Sequence, residues 1–168
     1  GVVLVNTIRH NPDVGYDANA HQRYIDTLAQ FRLPTPEDTY EFFSPPLPYL
    51  VPASVLAALR AVGGCDAFDC EATAYKAAQW QNMALSLGAT LLLLAITDRL
   101  RPGDARYKLL ALGLVGMLPV YYKTFSQVRG EPLVVFFTLA LIERLLALVP
   151  PGRVPTRRDA LVIGLSLG

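Results

Sequence analysis

Residues 77–97 carry no charged side chain over 21 consecutive positions and close on Leu91-Leu92-Leu93-Leu94-Ala95-Ile96. A bilayer core about 30 Å thick takes roughly 20 apolar helical residues, so this run predicts a membrane-crossing helix. The whole chain fits that medium: 52% of its residues are hydrophobic and 17% charged, where a soluble domain carries about a quarter charged. A chain this apolar is not disordered. A formal net charge of +1 gives no concentrated basic surface, so no nucleic-acid partner is expected.

Further apolar runs set the architecture. Residues 109–122 are uncharged but short, and lean on snorkelling Lys108 and Lys123 and on the interfacial pair Tyr121 and Tyr122. Residues 132–149 are interrupted only by Glu143 and Arg144, near the end of the run. Residues 1–8 and 160–168 read as the end of one span and the start of another. The expectation is an all-α, multi-pass transmembrane fold, with residues 1–168 forming the N-terminal part of one transmembrane domain in a longer protein. Arg99, Arg101, Arg106 and Lys108 crowd the loop 98–108, and Arg153, Arg157 and Arg158 the loop 150–159. By the positive-inside rule both are cytoplasmic. Residues 9–76 and 123–131 then share the outer face, periplasmic, extracellular or lumenal. The chain has 12 Arg against 3 Lys, a bias that suggests a bacterial plasma membrane.

The long outer segment carries its own structure signals. Asp17 is placed to cap a helix running to about Phe31, with Tyr24, Ile25, Leu28 and Phe31 as an apolar stripe facing the membrane surface. Prolines 34 and 36 stop it, and Ser44-Pro45-Pro46-Leu47-Pro48-Tyr49 predicts a rigid turn. A second short helix is expected at about 52–62, ended by Gly63-Gly64. Trp80 marks the interface. Cys65 and Cys70 fall on the outer face, where an oxidising compartment permits a short structural disulfide.

Two groups of residues could carry chemistry. Asp17, at the start of an interfacial helix, is either a helix cap or a general base for an acceptor hydroxyl. His21, one turn on, can reach the same space, and Asp13 is a second nearby carboxylate. Lys123, Arg129 and Glu131 share a tight outer loop and could hold a phosphate-bearing head group. Taken alone they suit equally plain roles, cations snorkelling at helix ends and an acid opening a helix. Glycine-rich phosphate loops, paired-cysteine metal motifs and nucleophile elbows are missing.

The order of these pieces resembles the GT-C superfamily of integral-membrane glycosyltransferases, in particular the branch of protein O-mannosyltransferases and aminoarabinose transferases. Gly15-Tyr16-Asp17-Ala18-Asn19-Ala20-His21-Gln22-Arg23-Tyr24-Ile25 is similar to that family's first outer loop. Phe43-Ser44-Pro45-Pro46-Leu47-Pro48-Tyr49-Leu50 is similar to its His-Pro-Pro-Leu-Tyr-Tyr-Leu turn, and residues 79–89 to its second span. Leu118-Pro119-Val120-Tyr121-Tyr122-Lys123 and Gln127-Val128-Arg129-Gly130-Glu131-Pro132-Leu133 are similar to its third span and second outer loop. Ser44 stands where His is common, Glu131 where Asp is usual, and Ala18 where some members have a second acid.

The resemblance implies transfer of a sugar from a polyprenyl-phosphate donor to a glycan, lipid or protein acceptor at the outer face, with inversion. It makes Asp17 and Glu131 the catalytic candidates, and His21, Tyr49, Lys123 and Arg129 the substrate-binding ones. A divalent cation finds no support in the residues themselves, and no other cofactor is implied. The competing readings are a transporter or permease, marked by broken helices and mid-membrane polar residues, and a non-catalytic membrane scaffold.

Overall fold

The computed structural model describes residues 1–63, 66–149, 156–159, 161 and 164. It is all-helical among those residues, with seven α-helices: α1 (Val2–Arg9), α2 (Ala18–Leu28), α3 (Leu50–Val62), α4 (Ala67–Leu100), α5 (Ala105–Met117), α6 (Pro119–Thr124) and α7 (Glu131–Leu148). A 3₁₀ turn, Leu47–Tyr49, leads into α3. Cys65, Arg153 and most of the run 160–168 lie outside the described residues, and with them the expected Cys65 pairing and terminal span. Cys70 is buried and is not a free thiol.

Helix α4 is 34 residues long, with a mean hydropathy of 1.5 over its most apolar window, and only 22% of that window is buried inside the molecule. A soluble core helix of that composition would be mostly covered by protein. It is the one helix among the described residues long and apolar enough to cross a membrane. The expected span at 109–122 is not one helix. Pro119 lacks an N–H and disfavours helical backbone in the residue before it, and Leu118 is extended at ψ 112°, dividing the run into α5 and α6. The expected span at 132–149 forms the 18-residue α7, which contains Glu131, Glu143 and Arg144.

The chain divides into two compact units, residues 1–86 with 119–134, and residues 87–118 with 135–168. In the first, Tyr24 and Ile25 of α2, with Ala29 just after it, pack with Tyr49, with Ala53 and Leu56 of α3, and with Cys70, Ala74 and Ala78 of α4. Of the apolar stripe expected on α2, Tyr24 and Ile25 are core, Leu28 is partly buried against it and Phe31 is exposed. The helix also ends at Leu28, leaving Phe31 outside it with a positive φ of 59°. Gly63, at φ 64°, ends α3 in the left-handed conformation that glycine adopts at least cost. Asp66 caps α4 by accepting from the Asp69 N–H at 2.9 Å.

In the second unit, Gly88 allows the Phe136 ring to sit where a Cβ would come within 2.6 Å of it. Glu143 accepts from Arg99 Nε at 2.9 Å and Nη2 at 2.6 Å, so the acid inside α7 is neutralised by the last turn of α4. Asp104 caps α5 through the Tyr107 N–H at 3.0 Å.

Candidate functional site

Three amide side chains on one stretch of α4 organise the first unit. Gln79 Nε2 donates to the Ser126 carbonyl at 3.0 Å, and Asn82 Nδ2 to the carbonyls of Gln127 at 2.8 Å and Arg129 at 3.0 Å. Gln81 Nε2 donates to the Pro48 carbonyl at 2.9 Å. Gln79 and Asn82 are fully enclosed, so these amides replace water for carbonyls that no helix satisfies. The loop before α7 and the proline turn before α3 are thereby fixed on one scaffold.

That arrangement brings the segment around Asp17 and the loop before α7 together. Arg129 Nη2 donates to the Tyr16 carbonyl at 2.7 Å, Nη1 to Glu131 Oε1 at 3.1 Å, and Nε to Gln127 Oε1 at 3.1 Å. Its guanidinium also lies 6.0 Å from the centre of the Tyr16 ring. One planar cation thus ties the residue before Asp17 to Glu131, which opens α7.

Asp17 occupies the residue before α2, yet its side chain does not cap the helix. Its backbone is left-handed, φ 63° and ψ 9°, and its own carbonyl accepts from the N–H groups of Ala20 and His21. The carboxylate instead accepts from the Tyr40 hydroxyl through Oδ1, while Oδ2 has no donor among the described residues. That bond to Asp17 pushes the Tyr40 phenol up to about 12, so Tyr40 keeps its proton. The capping role suggested by sequence is thus carried by backbone, leaving the acid partly exposed.

His21 and Tyr49 face inward. His21 Nδ1 and Tyr49 Oη are 2.8 Å apart, their rings stack at 5.8 Å, and Tyr24 stacks on Tyr49 at 4.3 Å. With exposures of 3% and 2%, the two are held by each other and not presented to a ligand. Burial lowers the imidazole below its ordinary value, against the pull of Glu41, Glu131 and Asp17 and with a smaller push from Arg129. Burial likewise raises the Tyr49 phenol. The proline turn is closed around this pair, with Tyr24 Oη donating to the Ser44 carbonyl at 2.7 Å and Ser44 Oγ to Glu41 at 2.7 Å.

Lys123 is exposed and makes no ion pair among the described residues. With Arg129, His10, Tyr16, Tyr122 and Gln127 it lines a cleft of about 630 Å³ whose walls include two permanent cations and no carboxylate. Asp13 borders a different cleft with Phe68 and Lys76, and accepts from Gln22 at 3.0 Å. Among the described residues no three His, Cys, Asp or Glu side chains gather to hold a metal ion.

No protein-family model, curated protein or solved structure matches this chain. The site therefore stands on its own geometry. Sequence reasoning had not selected Tyr40, Gln127 or Asn82 as site residues. Tyr40 sits in an irregular segment with no periodicity to flag it. Asn82 did carry a signal, as a polar residue in an otherwise apolar run.

Proposed function

We propose that this protein is a multi-pass membrane glycosyltransferase that moves a sugar from a polyprenyl-phosphate donor to an acceptor hydroxyl at the outer membrane face. The observation that carries the reading is the cleft bearing Lys123, unpaired among the described residues, beside Arg129, which pairs with Glu131 and binds the backbone next to Asp17. A lipid-linked phosphate keeps its tail in the bilayer and presents its charged head at interface depth. A pair of cations suits such a head group, and their fixed charge favours an oxygen that gains charge as its bond breaks.

In this reading the acceptor O–H gives its proton to Asp17 Oδ2 while its oxygen bonds to the anomeric carbon. The anomeric carbon–phosphate oxygen bond breaks in the same step, and its electron pair leaves on the polyprenyl phosphate facing Lys123 and Arg129. Attack opposite the leaving group inverts the centre. Tyr40, holding Oδ1, orients the carboxylate. Glu131 sets the guanidinium of Arg129, and the His21–Tyr49 pair sets the start of α2. In these roles Glu131, His21 and Tyr49 are positioning residues.

The test is release of polyprenyl phosphate from polyprenyl-phosphate mannose and polyprenyl-phosphate glucose by the full-length protein in detergent, with glycan, lipid and peptide acceptors. Asp17→Asn keeps the Tyr40 contact and is expected to lower kcat by about 10²–10⁴, the usual contribution of a positioned base, with KM little changed. Turnover equal to the parent's would reject Asp17 as the base.

A further inference from the structure

The polarity of the first unit changes along its length. Helix α3 runs antiparallel to α4: Arg60, near its end, meets Glu71 at 2.9 Å, while Pro48, before its start, meets Gln81 at 2.9 Å. Moving from Glu71 to Gln81 along α4 is moving toward its uncharged run. The charged groups of this face, Arg60, Glu71 and Asp26, sit at one end. The segment leading up to Arg60, residues 42–59, contains no charge at all.

Up to Leu59, helix α3 carries one polar side chain, Ser54, and no charge; Arg60 stands in its last turn. Pro52, Ala53 and Leu56 face the core, but Leu50 and Val51, at 44% and 54% exposure, face outward. A helix against water shows a polar outer face; a short apolar helix is either a core helix or an interfacial or re-entrant segment, and the exposure of Leu50 and Val51 favours the second. Trp80, the neighbour of Gln81, is itself 41% exposed at this level of α4, where aromatic residues mark the membrane boundary.

Next to this face lies the residue hardest to explain in water. Phe31 is 92% exposed and holds a left-handed φ of 59°, an outlier for a bulky side chain. With Leu28, Leu33, Leu50 and Ala53 it borders a groove of about 260 Å³ between the end of α2 and the start of α3. The one cation at its rim, Arg32, is already committed to Asp38 by two hydrogen bonds of 2.6 and 2.8 Å. Apart from the Ser54 hydroxyl, the groove therefore offers hydrocarbon contact and no free charge, and is slighter than the roughly 300–1,000 Å³ of a small-molecule site.

We propose that this surface is immersed in the leaflet that α4 enters, and that the groove between Phe31 and α3 seats one acyl chain of a bilayer phospholipid. The assignment rests on α4 crossing the membrane and is independent of the sugar-transfer chemistry. It gives the first unit a second hold on the bilayer, with the proline turn and Tyr49 beside the interface.

The single tryptophan makes this testable in the full chain. In a Trp80→Phe background, Phe31→Trp or Val51→Trp places the fluorophore on the proposed face, and Phe68→Trp places it at the charged end of α4. Each protein is reconstituted in phosphatidylcholine vesicles with and without chain-brominated phospholipid. Tryptophan at 31 and at 51 is expected to be quenched at least threefold more than tryptophan at 68. Equal quenching at 31, 51 and 68 overturns the proposal. So does blue-shifted but unquenched emission at 31, the mark of a second protein copy on the groove. If the parent's own Trp80 escapes quenching, the membrane placement of α4 fails and the proposal with it; if only 31 and 51 escape, α4 stands and the groove assignment falls.

Discussion

Tyr49→Phe isolates one atom in the middle of the site. Tyr49 Oη bonds His21 Nδ1 at 2.8 Å and lies where a Cβ on Gly130 would come within 3.0 Å of it. Phenylalanine keeps the ring, so the stacks on Tyr24 and His21 survive, and the loss is confined to a buried ring nitrogen without its partner. An unsatisfied buried polar group costs about 1–3 kcal/mol. For a chain of this size that lowers the thermal midpoint by about 2–12 °C, at roughly 2–4 °C per kcal/mol. Unfolding followed by circular dichroism in detergent measures it. The companion is His21→Leu with Tyr49→Phe: removing both polar partners leaves nothing unsatisfied, and the double variant should recover more than half of the single variant's loss. A single variant within 1 °C of the parent, or a double variant that loses the sum of the two singles, would refute the buried pair as a linchpin of this fold.

Two other perturbations separate stability from chemistry. His21 resists protonation in the folded state because it is buried. The unfolded chain binds a proton below about pH 6.5 that the native chain refuses, so stability falls as pH drops through that value. The fall in unfolding midpoint between pH 7 and pH 5 should shrink in His21→Gln, and an unchanged slope would remove His21 as its source. Asp17→Gly relieves a left-handed backbone while losing the Tyr40 bond. Its denaturant midpoint should therefore stay within about 1 kcal/mol of the parent's while sugar transfer is abolished. A loss of several kcal/mol would make Asp17 a structural residue.

The parts of this fold that were legible in sequence are those set by local chemistry. Glycine at 63 ends α3, and the uncharged run at 77–97 lies within one long helix. Proline 119 was visible too, but hydropathy alone joined what its missing N–H divides. The stripe of α2 was seen as apolar, but periodicity shows that a face is covered without showing by what. Here Tyr49 and α3 pack with Tyr24 and Ile25, while Leu50 and Val51 on α3 are exposed. Long-range partners left no trace in the sequence. Nothing local says that Tyr40 reaches Asp17, or that Arg129 reaches a carbonyl 113 residues away.

The amides of α4 explain why polar groups persist in an apolar run. Gln79, Gln81 and Asn82 would each be costly against lipid, yet each is turned toward a backbone carbonyl of a loop. The loops in turn have little apolar surface with which to hold themselves, and their carbonyls would otherwise need water. A helix long and apolar enough to cross a membrane, with donors at one end of its uncharged run, therefore fixes two irregular segments without burying charge. The outcome is that Arg129 is held from its backbone side by Asn82, leaving its guanidinium to engage Tyr16 and Glu131. Asp17, whose cap role passes to its own carbonyl, is left with an open carboxylate oxygen. Different atoms of these residues thus take different parts: backbone carbonyls hold the loops, while the Asp17 carboxylate and the Lys123 ammonium stay outside that framework.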